Sequence, residues 1–136
     1  MIQILIVDDE ELARHKIKRF LAESQIQATI TEAANGLQAL QILSTSSIDL
    51  VFLDIDMPGL TGLEVLQNLE QRPFKVIFQT ASDAFAIRAF EENACDYLLK
   101  PFDRERFQSA LQKALARVET DRKLQGFEKQ MRQAQF

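Results

Sequence analysis

The chain has 136 residues, 46% of them hydrophobic and 26% charged, with a formal net charge of −4. That is enough for one domain burying roughly two-thirds of its extended-chain surface, and the acid excess argues against nucleic-acid binding by this segment alone. A single cysteine, Cys95, excludes an internal disulfide framework, and no apolar stretch approaches the roughly 20 residues of a membrane span. The opening apolar run is short and meets acids at Asp8, so it is no signal peptide, and a cytoplasmic location is expected.

Residues 2–7 are nearly all apolar, which predicts a strand buried on both faces. Over 10–23, Leu12, Ile17, Phe20 and Leu21 recur among charged positions, the pattern of an amphipathic helix. A second strand is predicted over 26–33, with Ile26, Ala28, Ile30 and Glu32 on one alternating side. Ala34-Asn35-Gly36 makes a turn, and the next helix carries Leu37, Leu40, Ile42 and Leu43 until Ser44 to Ser47 break it. Residues 48–53 form the third strand, and Met57-Pro58-Gly59 with Gly62 mark a loop. Thr61 stands three residues before Glu64, the capping-box spacing, and opens a helix running to about Leu69. A strand (74–79), a helix (82–92), a strand (96–99) and a last helix from Asp103 complete the order. Five βα units require crossovers, hence a parallel sheet with helices on both faces.

Beyond Val118 the chain turns polar and rich in glutamine. Leu124, Phe127 and Met131 are spaced for a narrow helical stripe, although Gly126 costs such a helix about 1 kcal/mol. The simpler expectation is a domain over 1–118 followed by a helical extension or linker over 119–136, leading towards a second domain.

Four apolar runs end on residues suited to handling phosphate. Ile4-Leu5-Ile6-Val7 meets Asp8-Asp9, Leu50-Val51-Phe52-Leu53 meets Asp54, Val76-Ile77-Phe78 leads through Gln79 to Thr80, and Tyr97-Leu98-Leu99 meets Lys100-Pro101. In a parallel sheet all four ends share one edge, where open α/β sheets place their ligands. Two carboxylates about 4 Å apart repel by about 4 kcal/mol at an effective dielectric near 20. Such a cluster suits a hard cation, and Mg²⁺ takes one or two carboxylates together with waters and a phosphate oxygen. Asp9 by itself equally suits a helix cap. Lys100 would neutralise a phosphoryl group as a point charge, Thr80 would donate one hydrogen bond, and Ala81 leaves room beside them. A carboxylate can act as the nucleophile and carry an aspartyl phosphate, which makes Asp54 the candidate phosphoacceptor.

Val7-Asp8-Asp9-Glu10, Leu53-Asp54-Ile55-Asp56-Met57-Pro58-Gly59, Thr80-Ala81 and Lys100-Pro101-Phe102, in this order and spacing, resemble the receiver domain of bacterial two-component response regulators. The resemblance covers residues 2 to about 118. It implies a flavodoxin-like (βα)5 three-layer sandwich with strand order 2-1-3-4-5. It also implies that Asp54 accepts a phosphoryl group from a sensor histidine kinase. Asp9, Asp54 and the backbone carbonyl of Asp56 would ligate Mg²⁺, with Asp8 orienting the metal indirectly. Lys100 would pair with the phosphoryl group, and its bond to Pro101 would be cis. Thr80 and Tyr97 would form the switch pair, altering the face made by the fourth helix, fifth strand and fifth helix, the candidate homodimer surface. The stretch from Thr80 through Asp83-Ala84-Phe85-Ala86 to Phe102 is similar to receivers that precede a LytTR-type DNA-binding domain. Nucleic acid would then be reached only through an output domain outside these residues. Ser82 stands where that subclass often has an aromatic, and Asp56 is acidic where the family varies; both flank the phosphoryl site. Self-catalysed phosphoryl transfer and autodephosphorylation are expected, not metabolic turnover.

Two rival readings are weaker. A haloacid-dehalogenase-like phosphatase also has Asp-x-Asp, but it continues to Thr or Val where this chain has Pro58, and it sets the motif on the first strand. A non-phosphorylating receiver-like interaction module would have lost Asp54, Lys100 or the acidic pair, and all are present. Gly36, Gly59 and Gly62 form no dinucleotide fingerprint. His15, between Arg14 and Lys16, reads as a solvated helix residue, and Cys95 as a small packed one. Phe85, Phe90, Tyr97 and Phe107 are expected in or beside the core.

Overall fold

The computed structural model describes residues 1–134; Gln135 and Phe136, the end of the predicted extension, lie outside the described residues. The elements are β1 (Ile2–Val7), α1 (Glu11–Glu23), β2 (Ala28–Ala33), α2 (Gly36–Thr45), β3 (Leu50–Asp54), α3 (Gly62–Gln67), β4 (Lys75–Thr80), α4 (Ala86–Glu91), β5 (Asp96–Leu99) and α5 (Arg104–Ala134). The five strands make one sheet in the order β2-β1-β3-β4-β5, every pair parallel. This is the flavodoxin-like order expected from the sequence.

Side-chain alternation along the strands divides the core in two. Ile2, Ile4 and Ile6 of β1, Phe52 of β3, Ile77 of β4 and Leu98 of β5 pack against α1 and α5. Leu5, Val7, Val51, Leu53, Val76 and Phe78 pack on the opposite face, against α2, α3 and α4. Because β1 and β3 are covered on both sides, their residues are apolar almost without a break. Phe107 of α5 anchors the first layer, fully buried between Phe20 at 5.3 Å and Phe52 at 5.4 Å. The helix starts follow local chemistry: Asn35 caps α2 through the Gln38 N–H, and Thr61 and Glu64 form the reciprocal capping box of α3.

Several expectations need correction. The second strand begins at Ala28, so Ile26 precedes it, and as an edge strand it leaves Ile30 37% exposed. Its alternation is as read: Ala28 packs towards the α1 layer, and Glu32 accepts hydrogen bonds from Arg14 and Lys18 of α1. The helix predicted over 82–92 is shorter. A 3₁₀ turn occupies Asp83–Phe85, started by Ser82 Oγ accepting from the Ala84 N–H, and α4 ends before Asn93 takes a left-handed φ of 61°. Leu12, Leu37 and Phe90 are solvent-exposed, although Phe107, Phe85 and Tyr97 lie in or beside the core.

The last helix does not stop near Val118. It continues through Gly126 to Ala134, with Leu124, Phe127 and Met131 exposed. Arg122 reaches Asp49 at 2.9 Å and Asp121 reaches Lys75 at 2.6 Å, tying the start of this extension to the lower edge of the sheet. Among the described residues no helix is long and apolar enough to cross a membrane.

Candidate functional site

The parallel sheet delivers its strand ends to one edge. Asp8 and Asp9 follow β1, Asp54 closes β3, Thr80 closes β4 and Lys100 follows β5. Asp8, Asp54 and Thr80 are buried, while Asp9 and Asp56 are exposed. A backbone hydrogen bond from the Lys100 N–H to the Thr80 carbonyl, 2.8 Å, continues the β4–β5 ladder to the edge. The Lys100–Pro101 peptide bond is cis.

Lys100 is the electrostatic hinge of the site. Its Nζ lies 2.7 Å from Asp8 Oδ2 and 3.5 Å from Asp54 Oδ2, so one ammonium serves two buried carboxylates. Burial opposes its charge, but the Asp8 hydrogen bond and the Asp54 charge outweigh burial and raise its pKa. One cation is not enough for Asp54. Burial first, then the Asp8 charge, push the Asp54 carboxyl up to about 7 despite Lys100. Asp54 Oδ1 also accepts from the Asp56 N–H at 3.2 Å, and Asp8 Oδ1 from the Glu10 N–H at 3.0 Å.

Asp8, Asp9 and Glu10 each place a carboxylate oxygen within 4.8 Å of the other two. Hard oxygen donors crowded this closely, next to an Asp54 whose charge is incompletely balanced, fit a small divalent cation. Gly62 makes the β3 end possible: a Cβ there would lie 2.3 Å from the Asp54 carbonyl oxygen. Its N–H instead donates to the Ile55 carbonyl at 3.0 Å, drawing the β3–α3 loop close beneath the pocket.

The expected switch residues lie on the neighbouring strands β4 and β5. Thr80 Oγ1 accepts from the Ser82 N–H at 3.4 Å, and the Tyr97 hydroxyl donates to the Ser82 carbonyl. The Tyr97 ring packs on the α2–α3–α4 side, against the cluster that also holds Phe85. Thr80 and Tyr97 thus meet through the same β4–α4 turn.

Two side chains not singled out from the sequence support the acids. Arg14 Nη1 donates to the Asp8 carbonyl at 2.7 Å while its Nε donates to Glu32, fixing the β1–α1 turn. Gln79 donates to Asp8 Oδ2 at 3.1 Å from within the core. The only local signal for it was a polar residue interrupting the apolar run of β4.

Residues 4–112 match the response regulator receiver domain. The chain belongs to that family. The transcriptional regulatory protein BtsR of Escherichia coli K12 is 44% identical over 127 residues, covering 92% of this chain and 51% of BtsR. The sensory transduction protein LytT of Bacillus subtilis is 41% identical over 115 residues, covering 83% of this chain and 48% of LytT. These relatives place the receiver in the LytTR-associated subclass, and the chain spans about half the length of the curated relatives it matches. Among solved structures, the response regulatory domain of mrkE from Klebsiella pneumoniae superposes with a TM-score of 0.79 at 33% identity, covering 88% of this chain and 99% of that one. TrrA from Thermotoga maritima, in complex with Mg²⁺–BeF, superposes with a TM-score of 0.74 at 34% identity, covering 84% and 99%. The chain is therefore a two-component receiver, a regulator rather than a metabolic enzyme.

Proposed function

We propose that this receiver is a Mg²⁺-dependent switch that takes a phosphoryl group on Asp54 from a sensor histidine kinase. The observation that carries this reading is the buried Asp54 carboxylate at the sheet edge, 3.5 Å from Lys100 and destabilised as an anion by burial and by Asp8. Asp54 Oδ attacks phosphorus, the N–P bond of the kinase phosphohistidine breaks, and the imidazole nitrogen leaves with the electron pair. Asp9, Asp54 and the Asp56 carbonyl would hold Mg²⁺, with Asp8 orienting it indirectly, and the bound ion supplies neutralisation of the phosphoryl oxygens. Lys100 contributes a second positive charge, and Thr80 one hydroxyl hydrogen bond. Autodephosphorylation returns Asp54 when water attacks the acyl phosphate at phosphorus and releases inorganic phosphate. The Mg²⁺–BeF complex of TrrA supports the assignment by similarity.

Phosphorylation would bias a two-state equilibrium through Thr80, the Ser82 turn and Tyr97. The surface altered is the α4–β5–α5 face, where Ile87, Phe90 and Leu99 are exposed and a homodimer could form. Residues 119–136 would carry the change from the receiver over 1–118 towards an output domain that controls transcription and alone contacts nucleic acid. The cytoplasm is the compartment this role requires.

Intact-mass spectrometry after incubation with acetyl phosphate and Mg²⁺ tests the reading. One phosphoryl adduct on the wild type and none on Asp54→Asn is the expected result. No adduct on a folded wild-type protein would leave only a non-phosphorylating interaction module, and an adduct persisting on Asp54→Asn would move the acceptor elsewhere.

A further inference from the structure

Gln79 is fully buried in β4, yet its side chain is polar and only half satisfied. Its Nε2 donates to Asp8 Oδ2 at 3.1 Å and to the Val7 carbonyl at 3.4 Å. Both partners are acceptors only, so they fix which end of the amide faces them. The cost is Oε1, which has no hydrogen-bond partner among the described residues. An apolar side chain of similar length would leave no orphaned oxygen, so packing does not account for glutamine here.

What the amide touches does account for it. Asp8 Oδ2 has two side-chain donors, the Lys100 ammonium at 2.7 Å and Gln79 at 3.1 Å. Lys100 is also 3.5 Å from Asp54, the acceptor in the function proposed above. If Lys100 moves to a phosphoryl group on Asp54, Asp8 Oδ2 loses its charged donor inside a buried pocket. A carboxylate oxygen stripped of its donor there is strongly disfavoured. Gln79 is neutral, anchored to the β1 backbone and unable to follow the phosphoryl group, so it would stay on Asp8.

We infer that Gln79 is a positioning residue that keeps the Asp8 carboxylate satisfied and in place while Lys100 transfers from Asp8 to the phosphoryl group. This rests on the phosphoacceptor reading and adds a residue to it. Gln79 pairs with Asp54 in the β3–β4 register, but its side-chain amide hydrogen-bonds only Val7 and Asp8 and so acts through the Asp8–Lys100 pair.

The test is a rate cycle with acetyl phosphate and Mg²⁺, followed by intact mass, for wild type, Gln79→Met, Lys100→Met and the double variant. Gln79→Met keeps the side-chain length and removes the amide. With Lys100 present it should slow adduct formation about tenfold, the scale of a hydrogen bond to a charged group. In the Lys100→Met background no ammonium transfers, and the Gln79 effect should shrink below about twofold. Equal rates for wild type and Gln79→Met, or the same loss in both backgrounds, would overturn the inference and leave the phosphoacceptor reading standing. A wild type that takes no phosphoryl group removes both.

Should Gln79→Met fail to melt cooperatively in EDTA, the wild-type protein supplies a second measurement. The Gln79 side-chain amide protons should exchange slowly in EDTA. They should shift yet stay protected after addition of Mg²⁺ and fluoroberyllate, as Lys100 departs and Gln79 remains. Rapid exchange in that complex, or resonances that do not move, would refute the transfer.

Discussion

Arg106 of α5 grips Asp96 of β5 with two nitrogens, Nη1 on Oδ2 at 2.8 Å and Nη2 on Oδ1 at 2.6 Å. The same Nη2 donates to the Tyr97 carbonyl at 2.9 Å, so the pair pins the fifth strand to the fifth helix directly behind the expected switch residue. A bidentate guanidinium–carboxylate fork fixes orientation as well as distance.

That pair sets a pH dependence. Burial opposes the charge on Asp96, but hydrogen bonds from Arg106, the Tyr97 N–H and Lys113 outweigh it and hold the carboxyl at about 2, below its ordinary 3.8. A depressed carboxylate pKa stabilises the fold above the unfolded-state value, and the contribution disappears as pH falls through the folded-state value. Asp96→Asn should therefore lower stability at pH 7 by about 1–2 kcal/mol, and the gap from wild type should close between pH 4 and pH 2. Urea midpoints at both ends of that window measure it, and a gap independent of pH would show that the fork contributes no titrating stability.

Magnesium should raise the melting temperature by relieving repulsion among Asp8, Asp9 and Asp54. A ligand at 100 times its Kd stabilises by about 2.7 kcal/mol, and calorimetric scans with Mg²⁺ against EDTA would read this directly. Asp9→Ala should abolish the rise. A wild-type protein indifferent to Mg²⁺ would count against the acidic pocket as a cation site.

Gly59, in the β3–α3 loop, and Gly62, the first residue of α3, should respond differently to alanine. A Cβ at Gly62 meets the Asp54 carbonyl at 2.3 Å, whereas Gly59 has nothing within 4 Å and only a φ of +76° to accommodate. Gly62→Ala should cost about 1–3 kcal/mol through overpacking and slow phosphorylation by displacing the β3 end. Gly59→Ala should cost about 1 kcal/mol through its left-handed backbone and leave phosphorylation unchanged. Denaturation midpoints paired with acetyl-phosphate rates would separate the two, and equal effects would refute the steric argument.

Gly126 lies inside α5 with nothing within 4 Å of a would-be Cβ. Gly126→Ala should favour the helical extension by about 1 kcal/mol, seen as slower amide exchange over 119–134 with no change in phosphorylation. Faster or unchanged exchange there would mean that this segment is not helical in solution.

Much of the receiver is legible in the linear order of residues. The apolar runs that become β1 and β3, the alternation of strands with helices, the Thr61–Glu64 cap and the phosphate-handling residues at strand ends are all local patterns. Periodicity and turn chemistry encode them within a few residues of chain. Parallel pairing then puts Asp8, Asp54, Thr80 and Lys100 on one edge, a consequence of topology rather than of side-chain detail.

Whether a pattern is covered was decided elsewhere. Ile30 alternates correctly but lies on an edge strand, and Leu12 and Phe90 have helical spacing but face solvent. Their exposure depends on which elements pack across the sheet, and those contacts are remote in sequence. The same holds for the support of the acids. Gln79 is 71 residues from Asp8, and Lys100 is 92. Local patterning sets the strand ends and the residue types they present. The sharing of one ammonium by two buried carboxylates, and the glutamine lying against one of them, come from packing across the sheet, because hydrogen bonds between separate strands exist only once the sheet has assembled.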